Sequence, residues 1–226
     1  MVQNFFHSGA TGDIIFSLPT IKLMGGGSLY ISKYDEQRAL SIAKLIEKQP
    51  YIRDVNVVDG PPNKEYVNLN LFRNYAGHHK NLVEAHLQAQ GLSDESWRNG
   101  WLELETKNPF IYYTYSIINT GSNYLDPDFD WSKEVKYLES ISEFVYFLGY
   151  KNEYDVFQEK FKTNASFLNC DFLGAAELIK HAVMFTGGYS ALSTIAMGLG
   201  REYRLVQAPG HTCSSLLMDR EKIINI

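Results

Sequence analysis

The chain has 226 residues, enough for one large domain or two small ones and for a substantial core. Hydrophobic residues make up 45% and charged residues 21%, which excludes disorder, collagen and coiled coil as the main organisation. With 21 basic and 26 acidic residues the net charge is −5, spread evenly along the chain; this argues against a dedicated nucleic-acid binder, although a local basic groove stays open. No apolar run approaches the roughly 20 residues of a membrane span, so no integral membrane segment is expected. The opening MVQNFFHSGATGD lacks the basic and apolar stretches of a secretory signal. Two cysteines, Cys170 and Cys213, cannot build a disulfide framework and suggest a reducing, cytoplasmic setting.

The elements read as two α/β halves. In the first, Val2–His7 is a buried-strand candidate, followed by the loop Ser8-Gly9-Ala10-Thr11-Gly12. Asp13–Met24 carries Ile14, Ile15, Leu18 and Ile21 at helical spacing, with Pro19 expected to kink it or start a new turn. Leu29–Ser32 is a strand, and Asp35 can cap a helix bearing Ala39, Ile42, Ala43 and Ile46. Val55–Val58 and Tyr66–Leu69 are short strands, and Asn81–Gln90 is a helix stopped by Gly91. The polar stretch Glu105–Pro109 reads as a linker, giving domains 1–106 and 107–226. In the second half Phe110–Ile118 is strand-like, and the spacing of Val135, Leu138, Ile141, Val145 and Leu148 predicts one helix over Lys133–Leu148. Ser166–Leu168 (strand), Phe172–Lys180 (helix), Ala182–Phe185 (strand), Ala191–Leu199 (helix) and Tyr203–Val206 (strand) follow. Such alternation implies mostly parallel sheets.

Two glycine turns, each between a strand and a helix start, carry most of the chemistry. In Gly9-Ala10-Thr11-Gly12-Asp13 the glycines allow close backbone approach to a ligand, and the helix start offers free N–H groups. The same residues would also serve a plain tight turn with Asp13 in the first helical turn. The loop has G-x-x-G and lacks both the dinucleotide G-x-G-x-x-G and the Walker Gly-Lys-Ser/Thr ending. The second turn, Thr186-Gly187-Gly188-Tyr189-Ser190, precedes a helix rich in small residues and could receive a phosphate on backbone N–H groups. Asp126-Pro127-Asp128-Phe129-Asp130 holds two D-x-D pairs but lacks the Gly and Glu of a calcium loop; a solvated acidic loop capping the next helix is the simpler reading, and no metal site is expected. The histidine spacings match no zinc signature, and His7, ending the first strand, is the one expected to face a ligand cleft.

The segment Gly12-Asp13-Ile14-Ile15-Phe16-Ser17-Leu18-Pro19 resembles the G-D-x-x-x-x-x-P opening of the ADP-heptose:lipopolysaccharide heptosyltransferases, glycosyltransferase family 9. His79–Gly91 is similar to a helix late in that family's first domain, and Ala176–Gly210 to its donor region. The chain departs from the pattern at Phe185, where Asp is usual, and at Ser190, where His is usual, and it is shorter than typical members. The resemblance implies a GT-B fold, two Rossmann-like domains with parallel sheets facing a central cleft. It implies an inverting, metal- and cofactor-independent transfer from a nucleotide-sugar donor to a carbohydrate or glycolipid hydroxyl. Asp13 would be the base, with His7, Gly9, Thr11 and Gly12 as cleft loop. Thr120, Gly121, Ser122, Lys133, Thr186, Gly187, Gly188, Tyr189 and Ser190 would bind the donor. A catalytically inactive sugar-nucleotide-binding module and another nucleotide-dependent Rossmann-type enzyme remain alternatives; a nucleic-acid acceptor is disfavoured by the charge.

Overall fold

The computed structural model describes residues 3–33, 35–77, 81–106, 108–110, 112–121, 126–206 and 223–224. The chain divides into two compact units. One holds the described residues through Glu105 with Gly198–Gly200, the other those from Thr106 to Met197 and from Arg201 on. Among the described residues no helix is long and apolar enough to cross a membrane.

In the first unit β1 (Gln3–His7), β2 (Gly27–Ser32), β3 (Ile52–Val58) and β4 (Val67–Asn68) form an all-parallel sheet in the order β3-β2-β1-β4. Helices α1 (Thr11–Leu23), α2 (Glu36–Ile46) and α3 (Leu82–Ala89) complete it, with a 3₁₀ segment Leu69–Asn74 directly after β4. Phe5, Ile15, Leu18, Ile21, Leu29, Ile42, Leu45 and Val83 are fully buried; the apolar spacing of α2 reports its core face, whereas α1 is buried on all sides from Ile14 to Ile21. Asp35 caps α2 by accepting the Arg38 N–H at 3.2 Å, and Asn81 caps α3 by accepting that of Glu84 at 2.8 Å. Pro19 lies inside α1 and stays buried. Its missing N–H leaves the Ile15 carbonyl without its helical donor; the Trp101 indole N–H donates to that oxygen at 3.0 Å.

In the second unit the order in chain is β5 (Tyr115–Asn119), α4 (Trp131–Ile141), β6 (Phe144–Leu148), α5 (Lys151–Phe161), β7 (Ser166–Leu168), α6 (Phe172–His181), β8 (Phe185–Gly187), α7 (Ala191–Gly198), β9 (Tyr203–Val206) and β10 (Ile223–Ile224). The strands are parallel in the order β10-β9-β8-β5-β6-β7. This is the doubly wound arrangement in which the fourth strand of the unit lies beside its first, and ligands in such sheets bind where the order reverses. Ile118, Trp131, Val135, Leu138, Val145, Phe147 and Phe157 pack into one buried cluster between sheet and helices.

Three expectations are corrected. The helix expected over Lys133–Leu148 ends at Ile141, and Phe144–Leu148 is strand β6. The strand expected over Phe110–Ile118 starts only at Tyr115, because Asn108 accepts the Phe110 N–H and Phe110 accepts that of Tyr113 in a turn. The strand expected over Ala182–Phe185 moves on to Phe185–Gly187, so Thr186 and Gly187 belong to the sheet.

Candidate functional site

Each sheet has a switch point at the carboxyl ends of its strands, and each glycine turn sits at one. In the first unit it lies between β1 and β4. Asn70, just past β4, accepts both the backbone N–H of Ser8 at 2.9 Å and its hydroxyl at 3.0 Å, tying the two strand ends together. Helix α1 begins at Thr11, so Thr11, Gly12 and Asp13 form its first turn, two residues earlier than expected. Asp13 Oδ2 accepts the Ala10 N–H at 3.2 Å. Gly9 does not need a left-handed backbone; it is required because a Cβ there would stand 2.5 Å from His7 Cε1 and 2.9 Å from Asp13 Oδ2.

Burial pushes the Asp13 carboxyl up from its ordinary pKa, against the opposing pull of the Ala10 N–H and the Arg73 guanidinium. Desolvation outweighs both. His7, expected to face a ligand cleft, is fully buried, and its Nδ1 accepts the Gly9 N–H at 2.8 Å. His86 on α3, also buried, lies 5.4 Å from the His7 ring and stacks on Phe72 at 4.1 Å. Burial, with Arg73, holds the His7 pKa down at about 3, and burial keeps His86 neutral too. Arg73, Asn70 and His86 were not singled out in the sequence. Only the proximity of β4 and α3 to β1 reveals them.

In the second unit the switch point lies between β5 and β8, whose last residues Asn119 and Gly187 face each other in register. Asn119 is the hub of this point and was missed in the sequence. Its backbone carbonyl accepts the Gly188 N–H at 3.4 Å, its Oδ1 accepts the Ser190 hydroxyl at 3.1 Å, and its Nδ2 donates to the Leu148 carbonyl at 2.8 Å. Gly187 lets β8 lie this close, since a Cβ there would be 2.8 Å from the Asn119 carbonyl oxygen. Gly121, beside Thr120 in the turn after β5, faces the Glu153 carboxylate, 3.1 Å from its would-be Cβ, and Glu153 also accepts the Tyr150 N–H at 3.1 Å. Ser122 lies outside the described residues.

Not every donor candidate is free. The Thr186 hydroxyl is buried and donates to Glu134 Oε1 at 2.9 Å, and Arg204 holds the other oxygen of that carboxylate at 3.2 Å. Ser190 caps α7: its Oγ accepts the Ser193 N–H at 3.4 Å while its own N–H bonds Ser193 Oγ at 3.0 Å. Tyr189 is buried. The Lys133 side chain is 85% exposed and pairs with Asp130 at 3.3 Å, beside a cavity of about 700 Å³ that Glu134, Tyr137 and Arg204 also line. Asp130 caps α4 through the Ser132 and Lys133 N–H groups, as expected of the acidic loop. Among the described residues no cluster of three metal-ligating side chains occurs.

No protein-family model and no curated protein sequence matches the chain. Solved structures do. A glycosyl transferase family 9 protein from Veillonella parvula matches with a TM-score of 0.68 at 12% identity, over 89% of this chain and 79% of its own. The E. coli heptosyltransferase WaaC, solved with ADP-2-deoxy-2-fluoro heptose, gives 0.61 at 12% identity over 91% and 88%. TibC, an iron-containing dodecameric glycosyltransferase of enterotoxigenic E. coli, gives 0.69 at 16% identity over 100% and 62%. The sheets and switch points define a doubly wound α/β protein. Its fold is the GT-B-type fold of these heptosyltransferases, in line with the resemblance drawn from the Gly12–Pro19 segment.

Proposed function

We propose that the chain is a glycosyltransferase that moves a sugar from a nucleotide-activated donor to an acceptor hydroxyl. The observation that carries this reading is Asp13: a half-buried carboxylate of raised proton affinity, at the switch point of a sheet, in a fold shared with sugar transferases. The hydroxyl proton passes to the Asp13 carboxylate as the oxygen attacks the anomeric carbon. The bond from that carbon to the diphosphate breaks, and nucleoside diphosphate leaves. One displacement inverts the anomeric centre. The Gly187–Ser190 turn at the start of α7, with Thr120, Gly121 and Ser122, takes the diphosphate and steadies the leaving charge, the phosphate oxygens replacing the Asn119 carbonyl on the Gly188 N–H and Ser193 Oγ on the Ser190 N–H. Glu153, just past the second strand of the unit, accepts ribose hydroxyls, the position an acidic residue takes in doubly wound nucleotide sites.

We read the transfer as metal-independent and without cofactor, as the family resemblance implies. Residues 1–106 serve the acceptor, a carbohydrate or glycolipid, and 107–226 the donor; the two cysteines suit a cytoplasmic enzyme. The engagement of Thr186 with Glu134 and of Ser190 with Asn119 favours one second reading, a sugar-nucleotide-binding module without turnover.

A thermal-shift panel of UDP-, GDP-, ADP-, dTDP- and CMP-sugars tests both. Ligand at 100 times its Kd stabilises by about 2.7 kcal/mol, enough to raise the melting temperature by a few degrees. A hit followed by release of nucleoside diphosphate supports the transferase; a hit with no release on any acceptor supports the module. Stabilisation by NAD but by no sugar nucleotide would overturn both in favour of a dinucleotide enzyme.

A further inference from the structure

We infer that His7 is a positioning residue for Asp13: accepting the Gly9 N–H at Nδ1, its neutral imidazole clamps the β1–α1 turn and sets the surroundings of the Asp13 carboxylate. The inference rests on reading Asp13 as the base and names what holds that base in place.

The bond from Gly9 N–H to His7 Nδ1 is 2.8 Å, so Nδ1 carries the lone pair and the ring proton sits on Nε2. A proton on Nδ1 would set two N–H groups against each other and release the turn. The ring packs beside Phe72 and His86, whose centroids lie 5.8 and 5.4 Å from its own. Its Cε1 edge and Asp13 Oδ2 meet the same point over Gly9, 2.5 and 2.9 Å from where a Cβ would be, so the turn is held between them. The Arg73 guanidinium from the 3₁₀ segment acts on the Asp13 carboxylate, His86 from α3 meets the Asp13 backbone, and His7 from β1 shares with Asp13 Oδ2 the space over Gly9. Of these only Arg73 is charged at neutral pH. A histidine kept neutral supports the turn without adding a second cation that would pull the carboxylate's proton affinity back down.

The test needs no substrate. Nitrogen-15 spectra of the full-length protein at pH 7 should show His7 neutral with its proton on Nε2; the other tautomer, or a charged ring, overturns the inference. The Asp13 titration is followed by carboxyl carbon-13 shifts, assigned with Asp13→Asn. His7→Leu keeps volume but removes the acceptor. It should speed exchange of the Gly9 amide roughly fivefold and raise the Asp13 midpoint by about one pH unit, as an apolar neighbour replaces a dipole. His7→Asn keeps an acceptor near the Nδ1 position and should leave both close to wild type. Equal behaviour of the two variants, or a wild-type midpoint in His7→Leu, overturns the positioning role. If His7→Leu does not fold, a one-unit shift in His7→Asn does so instead. Full turnover by Asp13→Asn would sink the base but leave tautomer and clamp standing, so the two failures are separable.

Discussion

Asp13 sits under opposed influences. The Ala10 N–H and Arg73 favour its charged form, while partial burial disfavours it and prevails. A carboxylate so placed is a better proton acceptor than an exposed one, which suits a general base near neutral pH. Asp13→Asn keeps the shape and the oxygen that accepts from Ala10, so folding should change little, yet it removes the proton acceptor. We expect kcat to fall about 10²–10⁴-fold with donor binding nearly intact, read from steady-state kinetics and donor titration. Loss of donor binding as strong as the loss of turnover would make Asp13 an organiser of the turn instead. In the second unit, Gly188→Val puts a side chain where the phosphate would meet backbone. Losing one charge-assisted hydrogen bond costs about 1.5–3 kcal/mol, roughly 10- to 150-fold in Kd by calorimetry on a variant shown to be folded. Unchanged affinity would move the diphosphate away from this turn.

Helix α1 shows how one element depends on a distant one. Pro19 removes the donor that the Ile15 carbonyl would have had, and Trp101, far along the chain, supplies an indole N–H in its place. Trp101→Phe should therefore cost about 1–3 kcal/mol for the buried carbonyl left unpaired, beyond what the lost ring volume costs. In a Pro19→Ala background the helix regains its own N–H, and the penalty should shrink. A double-mutant cycle by urea unfolding isolates this coupling; additive losses would show that the two sites are independent. The same helix shows what was legible in the sequence. Its apolar residues placed it in the core, but their spacing did not reveal that Ser17 and Thr20 are buried as well; the glycine turn before it placed Asp13, and nothing local could pair Pro19 with Trp101. The helix expected over Lys133–Leu148 went wrong for a related reason. Ile141, Val145 and Leu148 continue the helical spacing of Val135 and Leu138 by coincidence. The chain turns at Ser142, and Phe144–Leu148 is an uncharged aromatic and branched run that suits a strand. Helix α5 was missed, although Tyr154, Phe157 and Phe161, spaced three and four apart, carry a helical signal. Asn119, Glu153 and Arg73 were not, because parallel pairing alone brings them to their switch points.

At the scale of the whole molecule, burying two neutral histidines in one unit ties its stability to pH. Unfolded, His7 and His86 bind protons near pH 6.5; folded, both resist them, His7 down to about pH 3. Below pH 6.5 the unfolded chain thus holds more protons than the folded one. Stability is fully present above that pH and is lost as it falls, by up to about 1.4 kcal/mol per pH unit for each histidine while its folded ring stays unprotonated. Asp13 works the other way near its own midpoint, since its raised carboxyl holds a proton more tightly when folded, but it is one group against two. Over the interval to pH 3 His7 alone amounts to about 4–5 kcal/mol, comparable with the whole stability of a small domain. The first unit should therefore unfold in acid before His7 titrates, seen in the emission of its buried Trp97 and Trp101. His86→Phe offers the sharpest check. A phenyl ring keeps the stack on Phe72 and removes one of the two acid-sensitive groups. The slope of unfolding free energy against pH between about 6 and 4, from urea titrations at each pH, should fall by up to about 1.4 kcal/mol per pH unit. An unchanged slope would mean that His86 already exchanges protons freely in the folded state, and that acid sensitivity arises elsewhere.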